Sequence, residues 1–135
     1  MPLDLGQLLV AANLGIMVFF MVAVAPTIFA VLPPQWSAAY VRKFFPKYFF
    51  FLGLTTAGAA ALASAGDMVL VRQIALWLCA GLFFLNGLWL TPRINQAKDS
   101  QQRITFKVLH GASVVSNLLQ LLVFVWLLFP VGPTP

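Results

Sequence analysis

Four long runs of apolar residues dominate this chain, and none of them contains lysine, arginine or a carboxylate in its central part. A helix needs about 20 mainly apolar residues to cross a hydrocarbon core roughly 30 Å thick. Because lipid offers no hydrogen bonds to the backbone, such runs are expected to be helical. The sequence therefore predicts an all-α, four-helix transmembrane bundle with spans at approximately residues 8–32, 48–65, 69–90 and 104–129.

The composition agrees with a single integral membrane domain over residues 1–135. The chain is 61% hydrophobic and 8% charged, and the connections between the runs are too short for a soluble domain. The net charge of +5 does not indicate a nucleic-acid partner, because seven of the eight basic residues flank apolar runs. The expected surroundings are the lipid bilayer.

The basic residues also predict an orientation. Two connections and their flanks hold seven of them, whereas the opposite side holds Arg72 alone. By the positive-inside rule, these connections face the cytoplasm and both termini lie outside it. We expect a multi-pass protein of the bacterial inner membrane, with these cytoplasmic residues: Arg42, Lys43, Lys47, Arg93, Lys98, Arg103 and Lys107.

The segment between the first two spans has its own pattern. Trp36, Tyr40 and Phe44 recur every four residues, which places them on one helical face. This predicts a short helix in the membrane interface, separate from the spans. At the other basic connection, Asp99 and Gln102 are predicted to cap the fourth helix.

Small residues recur every four positions in the second span. Gly53, Ala57, Ala61 and Ala65 would let another helix approach closely. This pattern predicts tight packing rather than a chemical role.

Polar residues inside the spans are costly in lipid and are expected to face the protein interior. At about 100° per residue, five of them share an arc of roughly 120° on the fourth helix: Arg103, Lys107, His110, Ser113 and Asn117. On the third helix, Cys79, Asn86 and Arg93 are spaced by seven and share a face. Asn86 and His110 should each lie ~10 Å from the cytoplasmic helix ends, so that they could meet. The hypothesis is a polar pocket in the cytoplasmic half, with His110 at its floor and Arg93 and Arg103 at its mouth.

His110 is the sole histidine of the chain, and three roles are open to it. It could join two helices through hydrogen bonds, contact a ligand or transfer protons. A proton-coupled transporter usually uses a membrane carboxylate, but Asp4, Asp67 and Asp99 all lie between the apolar runs and the chain has no glutamate.

Metal and haem sites are alternative interpretations of the same region. Soft ligands suit Cu(I), so that Met17, Met21, Cys79 and His110 form a conceivable copper set. Haem ligation through His110 would lack a second histidine. No cofactor is predicted in the first instance, and the sequence assigns no catalytic residue.

Four short motifs occur in order along the chain: residues 25–29 (APTIF), residues 45–49 (FPKYF), Pro92 with Arg93, and a pattern that joins Phe106, His110–Ser113 and Asn117–Leu118. In this order the chain resembles the transmembrane-protein-205-like family of small four-helix membrane proteins, whose bacterial members carry a domain of unknown function. The resemblance implies the four-helix fold and the importance of these positions: Pro26, Pro46, Tyr48, Arg93, His110, Ser113 and Asn117. It implies no reaction.

Two classes of function follow. The favoured one is a non-enzymatic membrane protein that binds or passes a small solute or lipid head group, alone, as a homo-oligomer or with a partner membrane protein. The alternative is a haem- or metal-dependent membrane redox enzyme or assembly factor that uses His110. The candidate ligand-binding residues are His110, Asn86, Arg93, Arg103, Ser113, Asn117 and Tyr48.

Overall fold

The computed structural model describes residues 4–129, and these residues form four long helices without a strand. All four are long and apolar enough to cross a membrane. They are α1 (Leu5–Val31), α2 (Pro34–Ala65), α3 (Leu70–Asp99) and α4 (Arg103–Leu128). The predicted all-α fold with four candidate spans is confirmed.

Up-and-down connectivity gives the bundle two chemically different ends. The end at which α1 meets α2 and α3 meets α4 carries the seven basic residues named above and is called the basic end. The other, called the opposite end, holds Asp4, Asp67 and Arg72. At this end Asp4 caps α1: its carboxylate accepts from the Gln7 backbone N–H at 2.7 Å, and the Gln7 side chain accepts from the Asp4 backbone N–H at 3.2 Å.

The segment predicted as a separate interfacial helix is helical, but it continues without a break into the second span. Pro34 begins α2, where its missing N–H costs nothing, and Pro46 lies inside the helix. Pro46 removes one backbone hydrogen bond, and aromatic residues on both sides of it pack against α1. Phe20 of α1 stacks on Phe44 at 5.1 Å between ring centroids and contacts Tyr48 at 5.0 Å.

The third helix also runs further than predicted, to Asp99 instead of residue 90. Only residues 100–102 connect it to α4, and Gln101 takes a left-handed conformation with φ of 56°. The predicted cap is wrong: Gln102 makes no side-chain capping bond, and the Asp99 carboxylate binds Arg42 instead.

Two helices contain a π-helical segment just before a proline. The segments are Phe20–Val24 in α1, before Pro26, and Asn86–Leu90 in α3, before Pro92. A proline ring clashes with the carbonyl four residues earlier, and a widened turn relieves that clash. Both segments lie in the half of the bundle next to the basic end.

Each helix packs on its two neighbours around the bundle, so that α2 and α4 each contact α1 and α3. The α2–α3 contact is tight, because a Cβ atom added at Gly53 would lie 3.0 Å from the Phe84 ring. The small-residue pattern predicted this contact only in part. Ala61 and Ala65 are exposed, and the small residues buried with Gly53 are Ala59, Ala60 and Ala63.

Candidate functional site

A pocket forms where α1 separates from α4. Leu5–Phe19 packs on α4, but no Cα atom of residues 20–31 lies within 8 Å of a Cα atom of Arg103–Leu128. The rings of Phe20, Phe44 and Tyr48 pack together between α1 and α2. The remaining space is a pocket of about 550 Å³. This volume lies within the usual range of small-molecule sites.

All four helices contribute to the pocket, and its walls are mainly apolar and aromatic. The side towards α1 and α4 is open, because Phe29 and Val114 line the pocket and are nevertheless exposed. In a bilayer, an opening between two helices meets acyl chains. The polar residues that line the pocket are Ser37, Arg42, Thr91, Asn95, Lys98, His110, Ser113 and Asn117.

Three of the seven predicted ligand-binding residues line this pocket: His110, Ser113 and Asn117. Their spacing of three and four residues puts them on one face of α4. The His110 ring lies parallel to the Phe106 ring, with 5.5 Å between centroids and 7° between planes. The Oδ1 atom of Asn117 is buried and receives no hydrogen bond from residues 4–129.

Asn86 lies beside the pocket without lining it. It is fully buried between α3 and α4, where its Nδ2 donates to the Leu82 carbonyl at 2.9 Å and to Ser116 Oγ at 3.0 Å. The hydrogen-bond partner across the interface is therefore Ser116 rather than His110. The prediction that Asn86 and His110 share one depth is therefore wrong, because Asn86 lies level with Ser116, which is six residues, or ~9 Å, deeper on α4 than His110.

The other three predicted residues lie away from the pocket lining. Arg93 is exposed and its guanidinium sits 4.6 Å from the centre of the Trp89 ring, and Arg103 is exposed at the start of α4. Tyr48 is buried in the aromatic cluster with Phe20. The cations that line the pocket are Arg42 and Lys98 instead.

Arg42 closes one side of the pocket mouth by a bidentate ion pair with Asp99. Its Nη1 donates to Asp99 Oδ2 at 2.9 Å, its Nη2 donates to Asp99 Oδ1, and Nη2 also reaches the Asn95 carbonyl at 3.4 Å. This pair joins α2 to the end of α3. It also neutralises Arg42, whereas Lys98 makes no ion pair within the described part of the chain.

Sequence reasoning missed the α3 side of the pocket, although a signal was present. Thr91, Ile94, Asn95 and Lys98 are spaced three, one and three residues apart, which is one face of a helix. Because the predicted third span ended at residue 90, this face of α3 was not included in the candidate site.

The residues of the suggested copper set lie in different surroundings. Met17 and Cys79 belong to the apolar core, Met21 is exposed, and the pocket that His110 lines includes none of the three. Residues 4–129 hold no cluster of three or more histidine, cysteine or acidic residues suited to a metal.

Comparison with known proteins places the chain in a family. Residues 8–103 match the family described as "Domain of unknown function (DUF4149)". An uncharacterized protein of Aquifex aeolicus (strain VF5) is 32% identical over 118 residues, which cover 87% of each chain. No solved structure matches the chain. The protein therefore belongs to the DUF4149 family, as the predicted bacterial domain of unknown function implied.

Proposed function

We propose that this membrane protein binds a small lipid-soluble molecule in the pocket at the basic end. The polar head group lies against His110, Ser113 and Asn117, and the apolar remainder leaves between α1 and α4. The observation that carries the proposal is the separation of α1 from α4 beside this polar face. Polar side chains are costly at membrane depth, and a face of them towards an open pocket favours a binding role.

The orientation and the location belong to the same proposal. Seven basic residues at one end support a cytoplasmic position for that end, in the bacterial inner membrane. The pocket then opens to the cytoplasmic leaflet. The narrower relationship to the transmembrane-protein-205-like family stays a prediction, which rests on the motifs around Pro26, Pro46 and His110.

The route of entry follows from the exposed lining residues. Phe29 and Val114 are 61% and 43% exposed, and both sit at the opening between α1 and α4. A molecule dissolved in the bilayer reaches this opening without crossing the polar surface. The arrangement therefore favours an amphiphile from the membrane over a solute from water.

The test replaces Val114 by tryptophan, which fills the opening. The matched control is Val115→Trp, since Val115 is the neighbouring residue, is also exposed and does not line the pocket. Native mass spectrometry of protein purified in a mild detergent should show a bound lipid-soluble molecule on the wild type and on Val115→Trp. Val114→Trp should lose it. Equal retention by both variants, or no bound molecule on the wild type, would overturn the proposal.

The haem- or metal-dependent alternative stays a prediction that centres on His110. Absorption spectroscopy and metal analysis of the purified protein test it, and a Soret band that is lost in His110→Ala would support it. Homo-oligomer formation or a partner membrane protein also stays a prediction, for which the mass of the intact assembly is the measurement.

A further inference from the structure

In the α3–α4 interface beside the pocket, some buried side-chain oxygen atoms receive no hydrogen bond from residues 4–129. The Asn86 side chain donates to the Leu82 carbonyl, and a carbonyl can only accept, so that this bond fixes the orientation of the amide. The Asn86 Oδ1 atom is then buried, and no donor from residues 4–129 reaches it. Buried polar atoms normally have a partner, so that such an exception asks for an explanation.

The same is true of two oxygen atoms on α4. Gln120 Nε2 donates to the Cys79 carbonyl at 2.9 Å, which fixes that amide and leaves its Oε1 buried with no donor in the described part of the chain. Asn117 Oδ1, one turn before it, is in the same condition. Of these three amides, Asn117 is the one that lines the pocket. No side-chain hydrogen bond from the described residues fixes the orientation of the Asn117 amide, so that a rotation of the side chain can turn its oxygen towards an occupant of the pocket.

The charge distribution in the pocket favours a neutral head group at this depth. Asn117 lies 14 residues from the start of α4, or ~21 Å along the helix. The lining cations, Arg42 and Lys98, lie at the basic end, and Arg42 is already paired with Asp99. An anionic group beside Asn117 would lack a counterion in a medium of low dielectric constant.

The walls of the pocket favour an aromatic ring. Ring faces and edges attract one another in offset or perpendicular arrangements, which a saturated chain cannot reproduce. Five phenylalanines line the pocket: Phe20, Phe29, Phe45, Phe49 and Phe106.

We propose that the occupant is a neutral amphiphile whose head group is a hydroxylated aromatic ring of the phenol or quinol class. The ring hydroxyl binds the amide of Asn117, the ring packs among the phenylalanines, and the tail leaves between α1 and α4. A hydroxyl both donates and accepts, so that it satisfies the Asn117 amide in either orientation. This inference rests on the proposed function and names the substrate class of the same pocket.

The probes for the test are 4-octylphenol, its methyl ether 4-octylanisole, and 1-decanol. The ether keeps the ring and tail but has no donor, and the alcohol keeps a donor but has no ring. In thermal unfolding of the purified protein, the phenol should raise the midpoint by about 10 °C at 100 times its Kd. The ether should bind about tenfold more weakly, the effect of one lost hydrogen bond. If the ether raises the midpoint as much as the phenol does, the head group does not need a hydrogen-bond donor. If decanol raises it as much, the head group does not need an aromatic ring.

The variant Asn117→Leu separates binding from folding, because leucine has a similar size but no polar atom. Its midpoint without ligand should equal or exceed that of the wild type, since an unpartnered polar atom is removed, while the response to the phenol is lost. The control is Asn86→Leu, which breaks the bond to Ser116 and should lower the midpoint but keep the response. If Asn86→Leu does not fold, Ser116→Ala removes the same bond. An Asn117→Leu protein that still responds to the phenol would contradict the inference.

The two proposals fail in different ways. If 4-octylphenol does not raise the midpoint of the wild type but Val114→Trp still loses the native bound molecule, the pocket remains a binding site and the proposed class of head group is wrong. If Val114→Trp and Val115→Trp behave alike, the pocket itself is not a site.

Discussion

Asn13 and Asn117 are both amides within candidate membrane spans, yet their surroundings differ. In the half next to the opposite end, Asn13 Nδ2 donates to Thr56 Oγ1 at 3.0 Å and its Oδ1 accepts from Thr55 Oγ1 at 2.8 Å. Asn117 lies near the middle of α4, where it lines the pocket, and its Oδ1 has no donor from residues 4–129. The first amide holds helices together, and the second belongs to the pocket that we propose as a binding site.

The cations of the two halves show the same contrast. Arg72 is buried at the opposite end, where it donates to the carbonyls of Leu127 at 3.0 Å and Phe129 at 2.9 Å and lies 4.9 Å from the Trp126 ring centre. It thus caps α4, and a cation at a helix C-terminus also interacts favourably with the helix dipole. Lys98 lines the pocket without an ion pair within residues 4–129. The polar groups near the opposite end thus join helices, whereas Lys98 at the basic end has no such partner among residues 4–129.

The largest effect is expected from Arg72→Leu. The change removes two charge-assisted hydrogen bonds and leaves two carbonyls at the end of α4 without that donor. The free energy of unfolding should fall by about 2–3 kcal/mol. Denaturant unfolding in detergent micelles measures it. The control is Arg93→Leu, whose exposed contact with Trp89 is worth about 0.5–1 kcal/mol; equal losses would remove the distinction between the two ends.

A smaller difference in the free energy of unfolding is expected between Asn13→Leu and Asn117→Leu. Loss of the two bonds to Thr55 and Thr56 should cost about 1 kcal/mol, since hydrogen bonds between membrane helices average ~0.6 kcal/mol each. Asn117→Leu breaks no hydrogen bond of the described chain, so that it should cost nothing or stabilise slightly. The same unfolding assay compares the two, and a larger loss in Asn117→Leu would reverse the assignment of scaffold and site.

The smallest effect is expected from Asp99→Asn at the mouth of the pocket. The ion pair with Arg42 is largely open to solvent, and exposed pairs contribute little because water and salt screen them. The thermal midpoint should fall slightly at low salt, and the difference from the wild type should vanish at about 1 M salt, where the Debye length is roughly 3 Å. A difference that persists at high salt would mean that the pair is a buried anchor of the basic end.

The centres of the four spans could be predicted from the sequence, because a long apolar segment is stable in lipid and not in water. The prediction failed at the basic end, where polar residues such as Asn95 and Lys98 read as a loop although nothing in them stops a helix. Two prolines lie inside long helices: α2 passes through Pro46 with the loss of a single backbone hydrogen bond, and α3 passes through Pro92 after a π-helical segment.

The candidate site could be predicted to the level of one helix face. The spacing of His110, Ser113 and Asn117 fixes their common direction, and the structure places all three at the pocket. Which residues lie opposite depends on how the helices separate and rotate, which periodicity does not report. That is why Arg93 and Arg103 were expected at a mouth that Arg42 and Lys98 form.

The most direct test of the contrast between the two halves is an experimental structure of the protein in a lipid bilayer. Residues 20–31 of α1 should stay more than 8 Å from α4, Cα to Cα, and non-protein density should lie beside Asn117. A bundle in which α1 packs on α4 along its whole length, with Asn117 turned to the acyl chains, would contradict the proposed binding site.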